Sequence, residues 1–310
     1  MITTSNSGYA LVTGATSGIG FEIAKLFAQH RQNLVLVARS REGLLETAGM
    51  LEADYGIKVY TIARDLFVPG AAREIFTETM QQGFVVDYLV NDAGQGVWGK
   101  FSDTDLDREI DLVHLNIISL MSLSKYYLRE MLQRNEGKIL QLSSALAKAP
   151  APYMSVYAAT KAFVLSFSEA VAREIKDTGV TITTLLPNAT DTDFFHKSGS
   201  QHTVTYRETS LYDPAEVARA GFEGMLKGEL QVVSGIKNKV QSAITAFMSD
   251  EAVTDMMHKQ LLPSEKSKGR DQITHQQSQK ERSRINKPSG DYETHKDHLH
   301  EDSAIHHPNH

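Results

Sequence analysis

Tyr157 and Lys161, four residues apart, are the pair in this chain best suited to chemistry. On a helix that spacing puts a phenol and an ammonium on one face. A nearby positive charge stabilises phenolate and lowers the phenol's pKa, so the tyrosine can exchange a proton near neutral pH. Upstream, Leu142-Ser143-Ser144 closes an apolar run, and a hydroxyl there could orient and polarise an oxygen on which charge develops. Alternation along an extended segment sends Ser143 and Ser144 to opposite sides. A two-residue pair also arises by chance, so its weight depends on its surroundings.

A second constellation suits phosphate. Tyr9 to Thr13 runs into Gly14-Ala15-Thr16-Ser17-Gly18-Ile19-Gly20 and then directly into a helical pattern. The three glycines permit a tight turn and close backbone approach, and the helix start offers unpaired N–H groups and a positive dipole end to a pyrophosphate. The spacing, G-x-x-x-G-x-G, departs from the commoner G-x-G-x-x-G. The next strand decides which dinucleotide is expected. It ends Val37-Ala38-Arg39-Ser40-Arg41, with no acid until Glu42. NAD wants a carboxylate there for the ribose 2′-hydroxyl, whereas a 2′-phosphate wants a cation, so Arg39 predicts NADP(H).

These residues need a scaffold, and the hydrophobic pattern supplies one. Short apolar, β-branched stretches occur at Tyr9 to Thr13, Asn33 to Val37, Lys58 to Ile62, Val86 to Val90, Lys138 to Leu142, Thr181 to Leu186 and Leu230 to Val233. Between them apolar residues recur at helical spacing, as in Ile23 and Phe27 or Phe163, Phe167 and Val171. Strand and helix in alternation give an α/β fold: a Rossmann-like, doubly wound parallel sheet of about seven strands with helices on both faces. Ligands then sit beyond the carboxyl ends of the strands, where the glycine turn and Ser144 fall.

Composition bounds the rest. The 310 residues carry a net charge of -6 and no cysteine, which excludes disulfides and thiolate metal sites and gives no reason to expect a nucleic-acid partner. No apolar run is long enough to span a membrane, and the first basic residue, Lys25, comes too late for a secretory signal. The expectation is a cytoplasmic protein. From Ser264 to His310 the chain is polar, holds seven of the twelve histidines, and balances eight basic against eight acidic residues. Such a segment cannot bury enough apolar surface to order itself, so residues 1 to 263 are expected to form a single domain and 264 to 310 a disordered tail. His295, His298, His300, His306, His307 and His310 lack a framework to hold a metal, and none is expected.

Taken together, the motifs resemble the short-chain dehydrogenase/reductase family from about Tyr9 to Val233. Thr13 to Gly20 matches its cofactor loop, including Thr16, Ser17 and Ile19, and Asp65-Leu66 matches the position that meets adenine. Asn91-Asp92-Ala93-Gly94 matches its Asn-Asn-Ala-Gly motif except at Asp92. Asn116, Ser144, Tyr157 and Lys161 stand at the family's catalytic separations of 28, 13 and four residues. After the sixth strand Pro187-Asn188-Ala189-Thr190-Asp191-Thr192 replaces the usual Pro-Gly, and Asn188 can keep a left-handed backbone there.

The resemblance implies hydride transfer between NADP(H) and a carbonyl or alcohol, with Tyr157 as acid/base. Lys161 would tune Tyr157 and bond the nicotinamide ribose, and Ser144 would orient the substrate. Asn116 would hold a water linking Lys161 to solvent, and Thr192 would meet the carboxamide. It also implies a homodimer or homotetramer built on helices around Asp105 to Arg134 and Ser155 to Lys176. The polar stretch Asp193 to Ser200 is expected to be a substrate lid, with Phe194, Phe195 and Trp98 either facing substrate or packing the lid. Ile236, Val240, Ile244 and Phe247, continued by Val253, Met256, Met257 and Leu261, are expected to pack a helical segment on the body or on a partner. The expected substrate is small to medium and apolar. Competing readings are a catalytically idle NADP-binding regulator and a dehydratase or epimerase.

Overall fold

The computed structural model describes residues 8–234 and 249–265, all within one unit spanning Met1–Lys266. Ile236, Val240, Ile244, Phe247 and the histidine-rich tail lie outside the described residues.

All seven expected strands form: β1 (Gly8–Thr13), β2 (Asn33–Ala38), β3 (Val59–Ala63), β4 (Val85–Asn91), β5 (Gly137–Leu142), β6 (Val180–Leu186) and β7 (Gln231–Val233). They pair in parallel in the order 3-2-1-4-5-6-7. The order reverses between β1 and β4, so the loops after these two strands diverge and leave a crevice at their carboxyl ends.

Alternation along the strands feeds two cores. Ala10 and Val12 face a cluster with Ile23 and Phe27 of α1 (Gly18–Gln29), Leu44 and Leu51 of α2 (Arg41–Tyr55) and, later in the chain, Val217, Phe222 and Met225. Leu11, Val35 and Val37 face the opposite cluster. It holds Ala71 and Ile75 of α3 (Ala71–Gln81), then Leu115, Leu123, Tyr127 and Met131 of a long helical stretch. Each large apolar side chain taken fully from water contributes about 1.5–3 kcal/mol, so the two faces anchor the sheet independently of the loops at its edge.

The long stretch comprises α4 (Leu106–Val113), a π-helical turn (His114–Ser119) and α5 (Leu120–Arg134). After β5 come a short 3₁₀ turn (Ala145–Lys148) and α6 (Ser155–Glu174). After β6 come two short helices, α7 (Phe194–Ser198) and α8 (Val204–Glu208), then α9 (Pro214–Lys227). The last described helix is α10 (Asp250–Leu261). Asp213 caps α9 by accepting from Ala215 N, with Pro214 at its first turn.

Candidate active site

A cleft of ≈ 1470 Å³ opens at the carboxyl ends of the strands. Its floor is the glycine turn. Gly14, Thr16, Ser17, Gly18 and Ile19 line it, and Gly14 takes a left-handed φ of 72° that a side chain would resist. Where Ser40 and Ser249 cap α2 and α10 with side-chain hydrogen bonds, Ser17 caps α1 with none among the described residues. The N–H groups of Gly18 and Ile19 at the start of α1 therefore meet the cleft without a capping side chain, while that of Gly20 is taken by Asp92, and a phosphate fits the two that are left. Gly20 lies behind the turn: a side chain there would come within 2.4 Å of Asp92 Oδ2 and 2.7 Å of the Gly14 carbonyl.

Thr13 stitches this turn to the loop after β4. Its hydroxyl donates to Val90 O at 3.3 Å and accepts from Asp92 N and Ala93 N at 3.1 and 3.0 Å. Ala93 and Gly94 line the cleft, but Asn91, expected at the cofactor, turns away. Alternation along β4 aims it at the α5 side of the sheet, where its Nδ2 donates to Gln141 Oε1 of β5 at 2.9 Å and to Ser124 Oγ of α5 at 3.1 Å. Asn91 braces the sheet rather than the ligand.

At the far end of the cleft Arg39, Asp65 and Leu66 line one wall. The Arg39 guanidinium lies 5.5 Å from the Phe67 ring centre and enters no ion pair among the described residues. Arg64, beside it, is held by Glu74 and Glu78. Arg39 is thus the exposed guanidinium there without a carboxylate. At the near end Pro187, Thr190 and Thr192 line the wall, and Thr192 packs its methyl group against Gly18, joining the first and last cofactor loops.

Ser144, Tyr157 and Lys161 meet between these walls. Ser144 hydrogen-bonds the Tyr157 phenol, and its Oγ accepts from Leu146 N at 3.1 Å, which fixes it at the start of the 3₁₀ turn. Ser143 Oγ instead donates to the Lys161 carbonyl at 2.7 Å, so the two serines part as alternation requires. Lys161 Nζ lies 5.9 Å from the Tyr157 ring centre and donates to Leu142 O at 2.8 Å.

The balance of charge differs from the sequence expectation. Burial pushes the Tyr157 phenol up to about 12, against a smaller downward pull from the Ser144 hydrogen bond. Burial pushes Lys161 down to about 8, with the Asp92 carboxylate pulling it back up. Desolvation outweighs the lysine's charge because the ammonium is itself buried and turned to a backbone carbonyl. Asp92, the departure from the family motif, is the third member of this set. It lines the cleft, accepts from Gly20 N–H, and is raised by burial to about 7, with Lys161 drawing it down.

Asn116 is fully buried in the π turn and does not line the cleft. Its Oδ1 accepts from Gln95 N at 3.2 Å, and its Nδ2 donates to Gln95 O and Thr160 Oγ1, both at 3.0 Å. A side chain at Gly94 would meet Lys161 Nζ at 3.2 Å and Asn116 Oδ1 at 3.3 Å. Glycine therefore leaves room for the two polar groups to converge.

The stretch after Thr192 splits its aromatic residues. Both line the cleft, but Phe194 sets its ring centre 5.1 Å from that of Tyr157, whereas Phe195 is buried against Tyr206. His196 meets the Tyr206 hydroxyl at 3.3 Å rather than the reacting groups. Trp98 stacks on Tyr153 and donates its indole N–H to Leu261 O at 2.9 Å, so it secures α10. Sequence reasoning reads α10 as a packing helix and misses its place at the cleft. Its apolar stripe is the available signal, but a stripe does not say whether it faces core or cleft.

Known proteins resemble the chain over these same elements. A very-long-chain 3-oxoacyl-CoA reductase of Anas platyrhynchos is 35% identical over 185 residues, 58% of this chain and 58% of that protein. The chain therefore spans little more than half the length of that relative. A 7beta-hydroxysteroid dehydrogenase of Collinsella aerofaciens is 29% identical over 237 residues, 74% of this chain and 87% of that one. Among solved structures, a short-chain dehydrogenase from Sphingobium yanoikuyae in complex with NADPH superposes with a TM-score of 0.69 at 26% identity, over 85% of this chain and 99% of that one. The family model of the short chain dehydrogenases matches residues 8–203, a span that runs from β1 through the glycine turn and the Tyr157 helix to the residue before α8. The chain belongs to that family of oxidoreductases.

Proposed function

We propose that this protein is an NADP(H)-dependent carbonyl reductase or alcohol dehydrogenase whose catalytic domain is residues 1–263. The observation that carries the reading is the convergence of Ser144, Tyr157 and Lys161 on a cleft floored by an uncapped helix start. Gly14, Thr16, Ser17, Gly18, Ile19, Ala93, Gly94, Pro187, Thr190 and Thr192 would hold the dinucleotide, with Asp65 and Leu66 at its adenine. Arg39 would meet the 2′-phosphate as a bidentate donor. The bound nicotinamide supplies the hydride.

The chain's own groups handle the proton. Tyr157, protonated across the physiological range, donates to the carbonyl oxygen as that oxygen gains charge, and Ser144 holds the oxygen in line. Lys161 stabilises the phenolate formed until a proton returns from solvent. Asn116 keeps the loop of Gln95 and the helix of Thr160 in register around Lys161. In the oxidative direction each transfer reverses.

Removing the Tyr157 hydroxyl should lower turnover of a panel of ketones and aldehydes by about 10²–10⁴-fold, the usual worth of a positioned acid. NADPH consumption tracked by absorbance measures this, and fluorescence titration shows whether NADPH still binds. Wild-type-like rates in Tyr157→Phe would overturn the assignment.

A further inference from the structure

Val253, Met256, Met257, Gln260 and Leu261 repeat at i, i+3, i+4, i+7 and i+8 along α10, the spacing of a helix face that packs on a core. Here only its ends do so. Val253 and Leu261 are buried, while Met256 and Met257 are half-buried and line the cleft. The charged residues of the helix, Asp250, Glu251, Asp255 and Lys259, stay off the cleft wall. α10 also lies beyond residues 8–203, so it is not part of what the family model matches.

The helix is held at once from the segments that follow three strands. Trp98, after β4, donates to Leu261 O at 2.9 Å. Tyr153, after β5, stacks between Trp98 and His258. Thr205, after β6, donates to Gln260 O at 2.9 Å. Leu261 shares a buried cluster with Tyr157 and Met154, which brings the wall to the reacting phenol, and Phe194 closes the other side. The cleft runs unbroken from the glycine turn and Arg39 to α10, so its ≈ 1470 Å³ is shared by the dinucleotide and whatever lies against Met256 and Met257.

On the reductase reading above, we propose that α10 makes the cleft a chamber for a bulky, largely apolar ketone or secondary alcohol, with Met256 and Met257 as its specificity-determining contacts. A small ketone would reach Tyr157 and leave both thioethers facing water. A large apolar body would cover them, and the flexible methionine side chains can mould to its outline.

The test compares trans-1-decalone with 2-butanone as substrates of the full chain. Decalone should have the higher kcat/KM by tenfold or more. Met256→Gln/Met257→Gln should lower the decalone-to-butanone ratio by at least tenfold, through KM, and Met256→Leu/Met257→Leu should restore it. A ratio that favours butanone, or that the Gln pair leaves unchanged, overturns the chamber while the reductase reading stands. If neither ketone turns over, the reductase reading fails, and emission from Trp98, the single tryptophan, decides the chamber separately. A saturable change with decalone that the Gln pair abolishes supports it, and no change overturns it.

Discussion

Asp92 shows how one residue alters the logic of a site. A carboxyl held near 7 binds its proton more tightly in the folded chain than in the unfolded one, where its ordinary value is 3.8. Stability contributed by that proton is therefore present at low pH and declines as pH rises from about 4 to about 7, levelling beyond. This is opposite in sign to a carboxylate in an ion pair. Asp92→Asn should lose that decline, so that the variant's melting temperature minus the wild type's grows across this window. Thermal scans at several pH values measure the difference, and a flat profile would contradict it. The sequence marks Asp92 as a departure from a motif but not its charge environment, because Lys161 and Gly20 reach it only through the fold. The same holds for Tyr157. Spacing places the lysine near it correctly, whereas the sign of its shift depends on burial that four-residue spacing does not report.

At the scale of elements, the strands are the most legible feature, because each is a short apolar run bounded by turn residues, and all seven form where the pattern puts them. The glycine turn is legible too, and its tolerance can be tested. Gly20→Ala would drive a methyl group into Asp92 Oδ2 and the Gly14 carbonyl, at 2.4 and 2.7 Å. The backbone has to shift, so NADPH affinity should fall by about tenfold or more, a loss of ~1.4 kcal/mol for each factor of ten. A fluorescence titration checks it. Asn91 and α10 are less legible, for one reason. Both carry the right residue types, and only tertiary packing decides which side they present. Asn91 turns to Gln141 beneath the sheet, and the Met256–Met257 stripe turns to the cleft.

For the molecule as a whole, the described residues contain no helix long and apolar enough to cross a membrane. Four of the eleven exposed large apolar side chains among the described residues lie on the long helical stretch, off the cleft. Leu106 and Ile110 on α4, and Ile118 and Met121 across the π turn and the start of α5, stand at spacings of four and three on exposed helix faces. A second copy of the chain is the occupant we propose for this face, in a homodimer or homotetramer. The double variant Ile110→Glu/Met121→Glu should then shift the mass in solution toward monomer at micromolar concentration. Light scattering coupled to size-exclusion chromatography measures this, and a wild-type chain that is already monomeric would refute the assembly.

The π turn at His114–Ser119 has a genealogical side. Such a turn carries one residue more than regular helix would place over the same rise, and helices α4 and α5 continue on either flank. A single inserted codon is enough to make it. Loss of one codon there would let the segment close into ordinary helix and rotate α4 against α5 by about 100°. Asn116 would then part from Gln95 and Thr160 without any residue being substituted. A one-residue deletion in that segment would thus undo the same three contacts that replacing Asn116 removes.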